Sequence, residues 1–160
     1  MDPRAADLIK TLALSEHPEG GWYREIFRSA AGVRAADGRQ RSACTTIYFL
    51  LTATDRSRWH VVQSDEIWHF YEGAPLQLLT VDPAGFALQQ RMLGTVTGGQ
   101  RPSWTVPAGH WQAARSTGAF TLCGCTVAPG FDFADFAMLR DDPALAARFR
   151  DDIPGAADFI

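Results

Sequence analysis

Residues 59–73 read WHVVQSDEIWHFYEG, and this stretch decides the fold class. Aromatic and β-branched residues fill both of its ends, and the turn formers Ser64 and Asp65 separate them. Glu66 and Trp68 are two residues apart, so in an extended strand they share one face. The stretch therefore predicts two strands joined by a short turn, at residues 59–62 and 66–71.

The same pattern continues on both sides of this stretch. Runs rich in aromatic and β-branched residues recur from residue 22 to residue 128, and Gly, Pro, Asp or Ser residues separate them. Many short strands without intervening helices favour an antiparallel barrel or jelly roll. We therefore expect a mainly β protein with strands at residues 22–29, 42–51, 59–62, 66–71, 76–81, 86–93, 103–106, 110–115 and 119–128.

A short helix is predicted at each end of the chain. Asp2-Pro3 and Asp142-Pro143 each combine a helix-capping carboxylate with a proline suited to the first helical position. A length of 160 residues, at 17.6 kDa, suits one domain. The predicted divisions are a helix at about 3–14, a barrel at about 22–128 and a C-terminal flank at about 129–160.

Composition limits the partners and the compartment. A net charge of −3 disfavours a nucleic-acid partner. No apolar run approaches the length that spans a bilayer, so no membrane partner is expected. The acidic start of the chain is unlike a secretory signal, and an odd count of three cysteines suits a reducing compartment. We expect a cytoplasmic protein.

Two motifs carry a resemblance to a known family. His60, Glu66 and Gly73 have the spacing of the first signature motif of the cupin superfamily, and Pro107 and Gly109, in the stretch PAGHWQ, resemble its second motif. The stretches HPEGGWY (17–23), TIYFLL (46–51) and DEIWH (65–69) more narrowly resemble a subgroup of small single-domain cupins of unassigned function.

The resemblance extends from about residue 7 to about residue 140 and carries expectations about structure. It implies the cupin jelly-roll barrel, an antiparallel double-stranded β-helix. It also implies a homodimer, because cupins of this size and of this subgroup usually pair through their sheets. An exposed strand edge near residues 22–29 would be covered in such a dimer.

The departures from the cupin motifs bear on metal binding. Metal-dependent cupins coordinate the ion with three His and one Glu, whereas here Val62 and Gln112 stand at two of those positions. A divalent transition metal would have His60, Glu66, Gln112 and the nearby His110 as its candidate ligands, an incomplete set. A metal-dependent isomerase or dioxygenase is therefore one alternative function, with the metal expected to be absent.

His60 and Glu66 also support a reading without a metal. A carboxylate beside the imidazole would fix its tautomer and raise its basicity, which makes His60 a candidate general base and Glu66 its catalytic partner. Sugar-nucleotide epimerases of the cupin superfamily use a barrel histidine in this way, so the resemblance implies a metal-free epimerase or isomerase as a second alternative. A structural reading, in which the two side chains are a satisfied buried pair, stays open.

The leading hypothesis is the binding of a small polar ligand, carbohydrate-like or carboxylate-bearing, inside the barrel. Trp68, His110, Gln112 and Tyr48 are its predicted ligand-binding residues, because aromatic walls with a few polar groups orient small molecules. Several aromatic side chains lie near both motifs, and they could instead simply fill the barrel: Tyr48, Trp59, Trp68, Trp104 and Trp111.

Two further histidines are expected to take no part. His17 lies in a predicted turn, and His69, three residues after Glu66, falls on the opposite face of its strand.

Overall fold

The computed structural model describes residues 1–35 and 37–160. Within these ranges the chain forms two α-helices, thirteen β-strands and three short 3-10 helices. The helices are α1 (Pro3–Thr11) and α2 (Pro143–Asp152). The strands are β1 (Ser15–Glu16), β2 (Trp22–Arg28), β3 (Gly32–Arg34), β4 (Gln40–Ser42), β5 (Thr45–Thr52), β6 (Ser57–Val62), β7 (Asp65–Gly73), β8 (Leu76–Val81), β9 (Leu88–Leu93), β10 (Ser103–Val106), β11 (Trp111–Ser116), β12 (Phe120–Ala128) and β13 (Phe136–Met138).

The strands build two antiparallel sheets and a separate hairpin. One sheet has the order β1-β2-β5-β12-β7-β10, the other has the order β13-β6-β11-β8-β9, and β3 pairs with β4. From β5 to β8 each strand lies in the opposite sheet from its predecessor, and the chain crosses between the sheets again from β9 to β12. This order is that of a jelly roll, so the predicted mainly β antiparallel fold is confirmed.

The inner faces of the two sheets enclose the central apolar layer. Every second residue of β5, β7 and β12 points into it, as strand alternation requires. The buried members of this layer are Phe49, Leu51, Trp68, Leu76, Leu78, Leu93, Val106, Ala114, Cys123 and Cys125. Glu66 and Trp68 are both buried, as their shared parity in β7 predicted.

Helix α1 covers the outer face of the six-stranded sheet. The Asp2 carboxylate caps its first turn by accepting from the Arg4 backbone amide at 2.9 Å. Leu8 then packs with Leu50 and neighbouring side chains of that outer face. The helix ends at Thr11 rather than near residue 14, because Ala13 has a positive φ of 51° that stops the helical backbone.

Helix α2 covers the outer face of the other sheet. Its N-cap is Asp142, whose side chain accepts from the Leu145 backbone amide at 3.0 Å, as the Asp-Pro pattern predicted. Phe149 of this helix is fully buried and meets the Trp59 ring at a centroid distance of 5.2 Å. Trp59 and Trp111 therefore face α2 rather than the barrel interior, which corrects the expectation that they line it.

The strands that the sequence patterns missed are the shortest ones. Strand β1 has two residues, and β3, β4 and β13 have three each, so none is long enough to show an alternating pattern. Strand β13 forms by pairing with β6 at the edge of its sheet. The turn formers at Asp37 and Gly38 lie in the connection between β3 and β4, but the hairpin itself was not predicted.

Part of the outer face of the six-stranded sheet stays open beside α1. Leu8, Leu12, Ile26, Tyr48 and Tyr71 line a shallow apolar groove there. A homodimer that pairs through its sheets remains a prediction.

No helix within residues 1–35 and 37–160 is long and apolar enough to cross a membrane.

The contact between α2 and β6 gives a stability prediction. Phe149→Ala should lower the free energy of unfolding by about 3–5 kcal/mol, because it removes a fully buried ring packed on Trp59. Urea denaturation followed by tryptophan fluorescence measures this change. The matched control is Phe133→Ala, whose ring is 54% exposed and should cost about 1 kcal/mol or less. Equal losses in both variants would contradict the packing described.

Candidate functional site

A cavity of about 320 Å³ opens at one end of the central apolar layer. Polar and titratable side chains form one part of its lining, and aromatic and aliphatic side chains form the rest. The lining residues are His17, Glu19, Tyr23, Glu25, Arg28, Thr45, Ile47, Phe49, His60, Val62, Glu66, Cys125, Val127, Phe131, Asp132, Phe133 and Phe136.

Both sheets and one tight turn supply the polar lining. Strand β6 contributes His60 and β7 contributes Glu66, each from an inward position. The turn between β1 and β2 contributes His17 and Glu19, and the Arg58 backbone amide holds it by donating to the Glu19 carbonyl at 2.9 Å. Gly20 in this turn has a φ of +107° and lies so close to the Arg56 carbonyl that a β-carbon would collide with it.

His60 is almost fully buried, and its tautomer is fixed by the backbone. Its Nδ1 lies 2.7 Å from the Arg58 carbonyl oxygen, which can only accept, so Nδ1 carries the proton. Its Nε2 then presents a lone pair 3.3 Å from Oε2 of Glu19. Burial lowers the pKa of His60, although the nearby carboxyl of Glu66 partly opposes this. His60 is therefore a neutral imidazole whose Nε2 carries no proton and faces Glu19.

Glu19 is the buried acid between two imidazoles. Its Oε1 accepts from the Ser57 hydroxyl at 2.7 Å, and its Oε2 lies 3.4 Å from Nδ1 of His17. That Nδ1 accepts from the Glu19 backbone amide at 3.3 Å, so it is also a lone pair. Burial raises the pKa of Glu19 and lowers that of His17. An unprotonated Oε2 would face the lone pairs of both imidazole nitrogens, which is unfavourable. A proton on Oε2 removes this repulsion, and Glu19 is then a neutral carboxyl between His17 and His60.

Glu66 is held by a chain of hydrogen bonds from the core. The Trp68 indole N–H donates to Oε1 of Gln112 at 2.9 Å. Because an indole N–H can only donate, the Gln112 amide must turn its NH₂ group away, and that group donates to Oε2 of Glu66 at 2.5 Å. Burial raises the pKa of Glu66, and the hydrogen bond from Gln112 is among the weaker effects that lower it.

The structure brings four of the six predicted site residues together. His60 and Glu66 line the cavity, while Gln112 and Trp68 lie directly behind Glu66. The partner of His60 was predicted wrongly. Glu19 is the carboxyl within 4 Å of its Nε2, and the Arg58 carbonyl, rather than Glu66, fixes its tautomer.

Tyr48 and His110 lie away from the cavity, which corrects the ligand-binding set. Tyr48 has the outward parity of Leu50 in β5, and its ring meets Tyr71 at a centroid distance of 6.1 Å. His110 precedes β11 in a turn, where its backbone amide donates to the Pro107 carbonyl. Strand parity with Gln112 therefore does not extend to His110, and its imidazole lies 3.6 Å from Asp82.

His69 has the placement that strand parity predicted. Its Nε2 lies 3.1 Å from the Thr126 hydroxyl, and Thr126 in turn is 3.2 Å from the Thr46 hydroxyl. His69 is absent from the residues that line the cavity, which makes it a matched control for His60.

Sequence reasoning missed one side of the site. His17 was set aside because it lies in a turn, yet that turn folds over the cavity and carries Glu19 with it. A signal for this was the stretch HPEGG at residues 17–21, where two adjacent glycines place a buried acid in a sharp bend. The segment after β12, predicted only as a C-terminal flank, also belongs to the site. Its rings Phe131, Phe133 and Phe136 form one wall of the cavity.

The cavity does not suit the metal that many cupin barrels hold. Val62 offers no donor atom, and the amide oxygen of Gln112 is engaged by Trp68 while its NH₂ group faces Glu66. Over residues 1–35 and 37–160, no group of three or more His, Cys, Asp or Glu side chains is arranged to hold a metal ion. His110, the candidate replacement ligand, lies elsewhere.

Similar proteins include chains whose own functions are not described. The chain is 27% identical over 154 residues to an uncharacterised protein of Saccharomyces cerevisiae, an alignment that covers 86% of this chain and 76% of the yeast protein. Protein SO0799 from Shewanella oneidensis has a similar structure, with a TM-score of 0.86 and 33% identity over 97% of this chain and 96% of that one. A hypothetical protein from Leishmania major gives a TM-score of 0.79 and 34% identity over 88% and 93%.

More distant structures share the fold alone. An oxalate decarboxylase from Bacillus subtilis superposes with a TM-score of 0.59 at 16% identity, covering 90% of this chain and 37% of that one. The family described as "Cupin superfamily (DUF985)", Cupin_5, matches residues 6–139. With the jelly roll and the cavity at the end of its central layer, this match shows that the chain belongs to the Cupin_5 family of the cupin superfamily.

Proposed function

We propose that this chain binds a small polar, carbohydrate-like molecule in the cavity between its sheets. The observation that carries the proposal is the convergence of four buried titratable side chains, His17, Glu19, His60 and Glu66, on one open cavity. Burying such groups costs free energy, so their concentration in a cavity is typical of a functional site.

The size and the walls of the cavity support this choice of ligand. A volume of about 320 Å³ lies at the lower end of the range for small-molecule sites. Tyr23, Phe49, Phe131, Phe133 and Phe136 supply ring faces that suit the C–H faces of a sugar-sized molecule. The polar groups opposite them supply both donors and acceptors for hydroxyl groups.

A metal-free isomerase or epimerase is the second candidate function, and the state of His60 favours it. Its Nε2 is unprotonated and buried, and it faces Glu19 within the lining of the cavity, which suits a general base. In this candidate Nε2 takes a proton from the carbon beside a ligand carbonyl, and the electron pair moves onto the carbonyl oxygen as an enolate. His60 then returns a proton to carbon and the electron pair moves back from the oxygen, which restores the carbonyl and the starting protonation.

The ligand-binding proposal predicts that His60→Gln weakens monosaccharide binding. The substitution removes an imidazole from the cavity lining and should raise the Kd of a binding sugar about tenfold, the effect of losing one hydrogen bond. Thermal shift against a monosaccharide panel finds the sugar, and calorimetry measures its Kd. His69→Gln is the control and should leave the Kd within about twofold. Equal effects of the two variants would place the ligand outside the cavity.

The isomerase candidate predicts deuterium exchange that depends on His60. In heavy water the protein should introduce deuterium at the carbon beside the carbonyl of a bound aldose, which proton NMR detects as loss of that signal. His60→Gln should slow the exchange about 10²- to 10⁴-fold, the contribution of a general base. Exchange that persists at the original rate in folded His60→Gln protein would exclude His60 as the base. Absence of exchange in the unaltered protein would leave binding alone.

The raised pKa of Glu66 predicts a specific dependence of stability on pH. Above the ordinary value of 4.5, the folded chain holds a proton on Glu66 that the unfolded chain has lost, so stability falls as pH rises through this window. Glu66→Gln has no titrating carboxyl at this position, so it does not lose stability in this pH window. Its free energy of unfolding relative to the unaltered protein should therefore grow above pH 4.5, by about 1.4 kcal/mol per unit of pKa shift.

Chemical denaturation at a series of pH values tests this expectation. The control is Glu72→Gln, because Arg4 holds the pKa of Glu72 below its ordinary value. The stability that Glu72 gains from Arg4 is lost only as pH falls below 4.5. The difference in free energy of unfolding between Glu72→Gln and the unaltered protein should therefore stay constant above pH 4.5. A constant difference for Glu66→Gln as well would contradict the buried neutral carboxyl.

A further inference from the structure

Within the part of the chain that the structure describes, the cavity lining is rich in carboxyl groups and has no cation without a carboxylate partner. Its acids are Glu19 and Glu66 at the buried end and Glu25 and Asp132 nearer the surface. The lining includes one guanidinium, that of Arg28, together with two imidazoles. An anionic ligand would have to find its partner among these three groups.

Arg28 is already engaged. Its Nε and one terminal nitrogen donate to both carboxylate oxygens of Glu25, at 3.0 and 2.7 Å. Both terminal nitrogens also donate to the Phe131 carbonyl at 3.1 Å. Four of its five N–H groups are therefore committed within the protein, and its charge is balanced by the Glu25 carboxylate.

The imidazoles are not cations either. Nδ1 of His17 and Nε2 of His60 are lone pairs that face Glu19, and burial lowers the pKa of both rings. A carboxylate or phosphate group in this cavity would meet buried carboxyls without a compensating positive charge, which is strongly unfavourable.

A cationic group would find favourable partners in the lining of the same cavity. Phe131, Phe133 and Phe136 contact one another edge to face, at centroid distances of 5.0, 5.9 and 6.0 Å, and ring faces attract cations. The same lining includes the carboxyl of Glu66, a residue that is only 7% exposed.

Glu66 retains the capacity to accept from a ligand. A carboxylate has about four acceptor sites, and the protein supplies Glu66 with the Gln112 amide and the weakly donating thiol of Cys125. A protonated amine brings up to three donors and one positive charge. Its arrival would place an ammonium group against the Glu66 carboxyl within the cavity lining.

We infer that the ligand of this cavity carries a protonated amine and no carboxylate or phosphate group. Together with the proposed function, on which this inference rests, it narrows the ligand to a hydroxylated amine of about the size of an amino sugar. The aromatic rings would contact its carbon frame, and Glu66 would bind its ammonium group.

Three sugars with the same carbon skeleton and different charges test this preference. They are glucosamine, which carries an ammonium group, glucose, which is uncharged, and glucuronate, which carries a carboxylate. Calorimetry at pH 7 with the unaltered protein should show glucosamine binding about tenfold or more tightly than glucose, the effect of a charged hydrogen bond, and glucuronate binding most weakly.

Glu66→Gln assigns the preference to one side chain. It should abolish the advantage of glucosamine over glucose, whereas Glu72→Gln, on the outer surface, should preserve that advantage. The comparison among the three sugars needs no variant, so the inference stays testable if Glu66→Gln folds poorly.

The outcomes distinguish this inference from the proposed function. Glucose or glucuronate binding as tightly as glucosamine overturns the inference and leaves a carbohydrate-binding cavity. Absence of binding by all three sugars overturns the proposed function together with the inference. An advantage of glucosamine that survives in Glu66→Gln overturns the role of Glu66.

Discussion

Alternation of side chains along the strands is the constraint on which the rest of the structure depends. Each strand sends successive residues to opposite faces, so two stacked sheets create one inner layer and two outer faces. Here the inner layer is apolar along most of its length, and α1 and α2 each cover one outer face. The polar residues His60 and Glu66 are inward members of the same alternation. They therefore reach the cavity from inward strand positions, with a β-bulge in the β6–β11 pairing next to His60.

The same constraint explains how much the sequence could predict. The jelly roll, both helix starts and the shared face of Glu66 and Trp68 follow from residue patterns within single elements. The outward placement of Trp59 and Tyr48 does not, because parity says which residues share a face but not which face points inward. That choice depends on what packs outside, and both helices lie far from these strands in sequence. His17 and Glu19 reach the cavity through a turn, where no periodicity exists to be read.

The protonation states of the site follow from burial acting in opposite directions on acids and bases. Removing water disfavours every charged form, so it raises the pKa values of Glu19 and Glu66 and lowers those of His17 and His60. Burial therefore favours the neutral form of each of the four side chains. A structural pair would be more stable if apolar side chains replaced it. Four such groups around an open cavity are better explained by a ligand that uses their donors and acceptors.

Gln112 shows how one substitution in a cupin motif changes the chemistry available to the cavity. A histidine at this position would present a lone pair to a metal ion, whereas the amide is turned by the Trp68 indole so that it presents hydrogen atoms to Glu66. Glu66 therefore accepts a hydrogen bond from Gln112. In a metal-dependent relative, the glutamate and the histidine at these two positions would instead bind the same metal ion. Without that fixed positive charge, the positive partner of Glu66 must be a proton or a group on the ligand. The acid–base character of this cavity and its inferred preference for an amine thus have the same physical origin.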